Sequence, residues 1–206
     1  MIHSFDAFFY SLMRAIQSNE VIDSILNPIL VAASWLGDNG LIWIVLALVL
    51  MCFKKTRKIG IVVAAALVFD IAIVNGLLKH IFDRTRPYYS GEFAWLTKQF
   101  VADRGLINFP GDSSFPSGHT ASSFAAAAGI FLCNKKWSIP AFVTAFLIGF
   151  SRMYLFVHYP SDVFAGVVVG IICGIIGYYC VKLVLALMKK YNILPGFYSF
   201  LVGEKQ

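Results

Sequence analysis

Residues 163–187 read VFAGVVVGIICGIIGYYCVKLVLAL, an apolar run whose only charge is Lys182. A helix needs about 20 such residues to cross the hydrocarbon core of a bilayer, so this run predicts a membrane span. Five more apolar runs precede it, at 21–37, 40–53, 59–79, 119–133 and 139–157. The first contains Asp23, Asn27 and Pro28, and the second and fourth are short, so these three are the weaker spans. Composition agrees with a bilayer protein. Of 206 residues, 59% are hydrophobic and 14% charged, and the mean hydropathy of +0.75 is far above soluble averages. The expected fold is all-α: a polytopic membrane protein built as a six-transmembrane-helix bundle, one domain over 1–206, without internal repeats.

Ahead of the bundle, Phe5, Phe8, Phe9, Leu12 and Ile16 recur at helical spacing with polar residues between them. They predict an N-terminal amphipathic helix lying in the membrane interface, although a plain surface helix has the same pattern. Asp6 and the lone Arg14 do not form the charged start of a secretory signal, so the first spans are expected to direct insertion. Lys54, Lys55, Arg57 and Lys58 follow the second run, Lys135 and Lys136 the fourth, and Lys189 and Lys190 the sixth. All three clusters fall on one side, which the positive-inside rule makes cytoplasmic. The net charge of +6 therefore belongs to membrane loops, and a nucleic-acid partner is not expected. Cys52, Cys133, Cys173 and Cys180 sit in or beside apolar runs and read as small hydrophobes, not as a zinc site or disulfide framework. Gly166, Gly170 and Gly174 repeat every fourth residue, a stripe that admits a close helix neighbour from the same monomer or another.

The opposite, extracytoplasmic face receives the loop 80–118 and the junction around His158. Arg84, Arg86, Lys98 and Arg104 in that loop have no topological reason to be there, and ligand binding supplies one. Its Phe82, Tyr88, Tyr89, Phe93, Trp95 and Phe100 predict packing against the interface or a lipid. Such long loops are usually functional or disordered.

Three segments at the outer span ends hold the reactive side chains: Lys79 to Pro87, Pro116 to His119, and Ser151 to Asp162. Lys79, Arg86 and Arg152 supply one compact cation and two planar forks that match phosphate oxygens. Ser117 and Gly118 open the fourth span, where backbone N–H groups and the helix's positive end face an anion. His119 and His158 remain for two tasks, attack on phosphorus and protonation of the leaving oxygen, and Asp162 lies four residues after His158. Imidazole is neutral near pH 7, so no metal is needed to make the nucleophile. Each piece alone has a plainer reading. Lys79 and Arg86 can anchor a membrane edge, Pro116–Gly118 can be an ordinary helix start, and Asp162 can simply cap the last span after Pro160. Their joint occurrence at one face argues against coincidence.

The three segments closely resemble the signature of the type-2 phosphatidic acid phosphatase superfamily, membrane lipid phosphatases related to vanadium haloperoxidases. Lys, six residues, Arg-Pro matches Lys79 to Pro87; Pro-Ser-Gly-His matches Pro116 to His119; Ser-Arg, five residues, His, three residues, Asp matches Ser151 to Asp162. The resemblance implies that His158 forms a phosphohistidine, that Asp162 orients it, and that His119 protonates the leaving group and later activates water. It implies that Lys79, Arg86, Ser117, Gly118 and Arg152 bind the phosphoryl oxygens, with no cofactor and no metal. The expected partners are the bilayer and a lipid phosphate, foremost the bacterial cell-wall carrier undecaprenyl diphosphate. Phosphatidylglycerophosphate, phosphatidate and lipid A are the alternatives, because the signature reads the phosphate and not the tail. A vanadate-dependent haloperoxidase is disfavoured by the spans, and a non-enzymatic phospholipid-binding protein by the two histidines; the oligomeric state is open. Asp70 lies about nine residues before Lys79, roughly 13 Å deeper on a helix. It is expected to bond a neighbouring span, such as at Ser122 or Ser123, and to lie too deep to touch the phosphate.

Overall fold

A computed structural model of the chain describes residues 2–89 and 111–202. Lys98, Arg104, Phe93, Trp95 and Phe100 lie outside the described residues. The described chain is helical, without strands: α1 (Ile2–Gln17), α2 (Glu20–Leu36), α3 (Leu41–Cys52), α4 (Arg57–Asp70), a π-helical stretch Ile71–Leu78, α5 (Lys79–Phe82), α6 (Gly118–Cys133), α7 (Lys135–Tyr154), α8 (Pro160–Lys190) and α9 (Pro195–Val202). Local chemistry sets several boundaries. The Asn19 side chain accepts from the Ile22 amide to cap α2, and Asn134 accepts from the Lys136 and Trp137 amides to cap α7. Pro160 opens α8, where its missing N–H costs nothing.

Every expected apolar run is helical, but the runs do not contribute equally. Among the described residues, Arg57–Tyr89 and Pro160–Lys190 are each long and apolar enough to cross a membrane, and Glu20–Leu36 with Asp38–Cys52 forms a candidate span bent by 51°. Of the other two, α6 has 16 residues, and α7 carries Lys135, Lys136 and Arg152 in its 20. The run 21–37, expected as a span of its own, is α2, and its contacts run across the end of α7. Tyr154 donates to Asp23, Arg152 donates to Ser34, and Gly37 packs on Ile148.

α6, α8 and α4 form the centre, and glycine lets them meet. A Cβ at Gly166, Gly170 or Gly174 of α8 would lie 2.8, 2.3 or 2.7 Å from the carbonyl oxygens of Ser117, Ala121 and Ala125 on α6. The small-residue stripe thus acts within one chain, and it brings the start of α6 against the start of α8. One core cluster gathers Trp43, Leu50, Val63, Ile130 and Ile148, and a second lies near His158 with Tyr10, Met13, Leu30, Tyr88 and Tyr154. Large apolar side chains such as Val68, Phe146, Val168 and Leu183 point outward, as a lipid-facing surface requires. On α1, Phe5, Phe8 and Leu12 are exposed, whereas Asp6, Tyr10 and Met13 are buried against the body. The helix directions put all three basic clusters at the end of the bundle away from His158.

Candidate active site

The starts of α3, α5 and α6, the π-helical stretch and the junction between α7 and α8 at His158 converge on a cavity of about 530 Å³, and the glycine stripe holds the start of α6 against the start of α8 beside it. Lys79, Arg86, Gly118, His119 and His158 line it together with Asp112, while Ile44, Leu67 and Ile71 form an apolar wall. Ser117, Arg152 and Asp162 are buried around these lining residues.

His158 is almost wholly enclosed. Its Nδ1 lies 2.8 Å from the Ser114 carbonyl oxygen, and its Nε2 lies 3.2 Å from Nη1 of Arg86. A carbonyl only accepts and a guanidinium only donates, so these partners assign the proton to Nδ1 and leave a lone pair on Nε2. Burial pushes the imidazole's pKa well below its usual value, and the charges of Arg86 and Arg152 push the same way. Both effects favour the neutral form.

Asp162 was expected to hold His158 directly. Its Oδ2 is 3.6 Å from Nδ1, too long for a hydrogen bond, and instead accepts from the Ser114 hydroxyl and from the Tyr159 amide at 3.0 Å. Its Oδ1 accepts from Arg84 Nη1 at 2.6 Å, and Arg84 Nη2 donates to Asp6 at 2.9 Å. Asp6 also accepts from the Ser161 amide at 2.8 Å and hydroxyl at 3.0 Å, which ties α1 to the start of α8. Ser114, Arg84 and Asp6 are site residues the sequence reading passed over; only Arg84's unexplained charge in an outer loop signalled one of them.

The cations are arranged around a carboxylate. Lys79 and Arg86 both pair with Asp112, Arg86 Nη2 at 2.8 Å. Against the partial burial that raises it, those two cations hold the acid's pKa below the ordinary carboxylate range, and Arg86 Nε also donates to the Asp112 backbone carbonyl at 3.1 Å. Arg152 donates to Ser34, and its buried Nε has no partner among the described residues. Ser117 and Gly118 differ from each other in a way the sequence hid. The Ser117 amide donates to the Asp162 carbonyl at 3.1 Å and is not free for an anion, whereas Gly118 begins the helix and lies open beside Lys79.

His119, on the cavity's other flank, has its Nε2 at 2.8 Å from Oδ1 of Asp38 in the turn between α2 and α3. Asp70 also departs from expectation. Ser122 and Ser123 donate to the His119 carbonyl, Trp43 donates to Ser123, and Asp70 Oδ1 has no partner among the described residues. Asp70 lines the same cavity as the cations. The arrangement can therefore receive an anion between Lys79 and Arg86, present an imidazole lone pair to it, and offer a second imidazole for proton transfer.

Comparison with known proteins points the same way. The profile of the PAP2 superfamily matches residues 58–185. The chain is 34% identical over 166 residues to the undecaprenyl-diphosphatase of Sulfolobus acidocaldarius, covering 79% of this chain and 73% of that one. It is 30% identical over 169 residues to the undecaprenyl-diphosphatase BcrC of Bacillus subtilis, covering 80% of each. The crystal structure of Aquifex aeolicus LpxE is similar at a TM-score of 0.55 and 28% identity, over 81% of this chain and 92% of that one.

Proposed function

This chain belongs to the PAP2 superfamily and is a membrane phosphatase, and we propose that it converts undecaprenyl diphosphate to undecaprenyl phosphate at the extracytoplasmic face, through a phosphohistidine on His158. The observation that carries the chemistry is the setting of His158: Nδ1 against the Ser114 carbonyl, which only accepts, and Nε2 beside Arg86 at the cavity. Nε2 attacks phosphorus, the bond to the leaving oxygen breaks, and His119 gives that oxygen its proton. Water then attacks the phosphohistidine, its proton goes to His119, the P–N bond breaks and phosphate leaves. Lys79, Arg86, Arg152 and the Gly118 amide hold the phosphoryl oxygens, and the entering phosphate displaces the Asp112 carboxylate. Asp162 acts through Ser114, and Ser117 by fixing the turn that begins α6.

The basic clusters at the far end support a site that faces outward. In the bilayer, α3, α4, α6, α7 and α8 are taken to cross, with α1 and α2 at the site end. The carrier lipid is favoured by the names of the relatives and by the wall of Ile44, Leu67 and Ile71, along which a tail remains in lipid while its headgroup reaches the cations. One observation favours a second reading. Asn39, Asp70, Asn75 and Ser122 line the same cavity, and Asp70 Oδ1 is unpartnered, so glycerol or sugar hydroxyls would find acceptors there. Phosphatidylglycerophosphate and lipid A have such hydroxyls.

The test is phosphate release by purified protein in EDTA from undecaprenyl diphosphate, phosphatidylglycerophosphate, phosphatidate and lipid A, with His158→Ala beside it. Preference for the first, together with an acid-labile phosphoenzyme that His158→Ala lacks, is expected. Activity that depends on an added divalent metal would sink the histidine mechanism.

A further inference from the structure

Outside the segments matched by the family profile, a turn of four residues, Gly37-Asp38-Asn39-Gly40, reaches the site. We propose that Asp38 is the positioning carboxylate of His119, so that the site contains a second carboxylate–imidazole pair, supplied by the break between α2 and α3. The proposal deepens the phosphatase reading and rests on it, since it concerns the imidazole that moves the proton.

The turn is shaped for this contact. Asn39 and Gly40 both have left-handed backbone, at φ 51° and 65°, a conformation that asparagine and glycine tolerate best. A Cβ at Gly37 would lie 3.0 Å from Cδ2 of His119 and 2.6 Å from Ile148, so only glycine lets the chain pass this close. Asp38 Oδ1 then meets His119 Nε2 at 2.8 Å. A carboxylate accepts, so Nε2 carries the hydrogen, and Nδ1 is the nitrogen left for exchange with the leaving oxygen and with water. Among the described residues Nδ1 has no hydrogen-bond partner.

The surrounding charges give the carboxylate a task. Lys79 and Arg86 share the cavity with His119, and Arg152 also acts on its ring. These groups oppose the imidazolium that must exist before the leaving oxygen is protonated. The acids against them are Asp38, in direct contact, and Asp112, which pairs with Lys79 and Arg86. Asp38 therefore favours the proton-loaded form in the first step and orients the ring for the second. Its side chain is 59% exposed, so solvent weakens the effect without removing it.

The experiment is the pH profile of kcat on undecaprenyl diphosphate for wild type, Asp38→Asn, Asp38→Ala and Asp38→Glu, with thermal unfolding of each and His158→Ala as control. We expect kcat about tenfold lower for Asn and Ala at pH 7, KM little changed, and the alkaline limb moved to lower pH, because the imidazolium has lost its counter-charge. Glu should restore the limb and part of kcat. A residue that merely shapes the turn would lower stability or activity without moving the limb, and that outcome overturns the proposal. So does an Asn or Ala variant identical to wild type, with the phosphatase reading intact. A wild type that releases no phosphate overturns both, and running two neutral variants keeps a single folding failure from deciding the matter.

Discussion

The two histidines of the site are held in opposite ways. His158 is 1% exposed, and behind it stand buried Ser114, Asp162 and Asp6, linked through half-buried Arg84 and Ser161. His119 has a side chain 20% exposed and one side-chain partner, Asp38, that is more than half in solvent. The role proposed for His158, attack on phosphorus, needs one lone pair in one direction on a neutral ring, which burial and a fixed tautomer favour. A proton carrier must charge and discharge in every turnover, which is easier near water and beside a carboxylate that tolerates either state. The protein spends rigidity on the first and keeps the second adjustable.

Replacing the nucleophile separates the two sides most sharply. His158→Ala should lower kcat by about four orders of magnitude or more and abolish any phosphoenzyme, measured by phosphate release and acid-labile labelling; His119→Ala should still label, slowly. Next is the support behind His158. Asp6→Ala leaves Arg84 Nη2 and the Ser161 amide without their acceptor, while Arg84 Nη1 keeps Asp162, so about 1–3 kcal/mol of stability should be lost, together with activity, as read by thermal unfolding and kcat. If activity survives unchanged, the N-terminal helix does not support the nucleophile.

Two smaller effects test how the sides are joined. Gly170→Ala places a methyl 2.3 Å from the Ala121 carbonyl, which must push α6 from α8 at a cost of about 1–3 kcal/mol, with kcat falling as the start of α6 moves from Asp162. The least dramatic is a pH shift. Because His158 has its pKa well below the usual imidazole value, its neutral form persists to lower pH than that of a free imidazole, and the acid limb of kcat/KM should lie below the usual imidazole range. Arg86→Gln removes one of the cations that lower that pKa, so the acid limb of the residual activity should move up in pH. A limb unmoved would mean that burial and Arg152 set it without Arg86.

Much of this was legible from residue order. The run 163–187 is a helix throughout, because a stretch so apolar has only one way to satisfy its backbone in lipid. The glycine stripe was readable as a close packing face, and Lys79, Arg86, His119 and His158 do share one cavity. The bend of 51° between 20–36 and 38–52 was not readable, since both runs are as apolar as spans, and composition does not report the angle between successive helices. Asp70 and Asp162 were read for depth and spacing, which say where a carboxylate lies but not what it touches. Asp162 turned out to reach His158 through Ser114, and Asp70 to face the cavity.

What the sequence determined by itself is the class of molecule and the chemical kit: helices for a bilayer, cations for a phosphate, two imidazoles and an acid at one face. Periodicity and composition are local quantities, and they suffice for burial and for charge. Only the tertiary structure decided the partners. Asp6 with Ser161, Asp38 with His119, and Ser114 with His158 join residues far apart in the chain. Such hydrogen bonds depend on helix crossing angles and on atoms meeting within about 3 Å, and the geometry that satisfies them exists only once α6, α7 and α8 have packed.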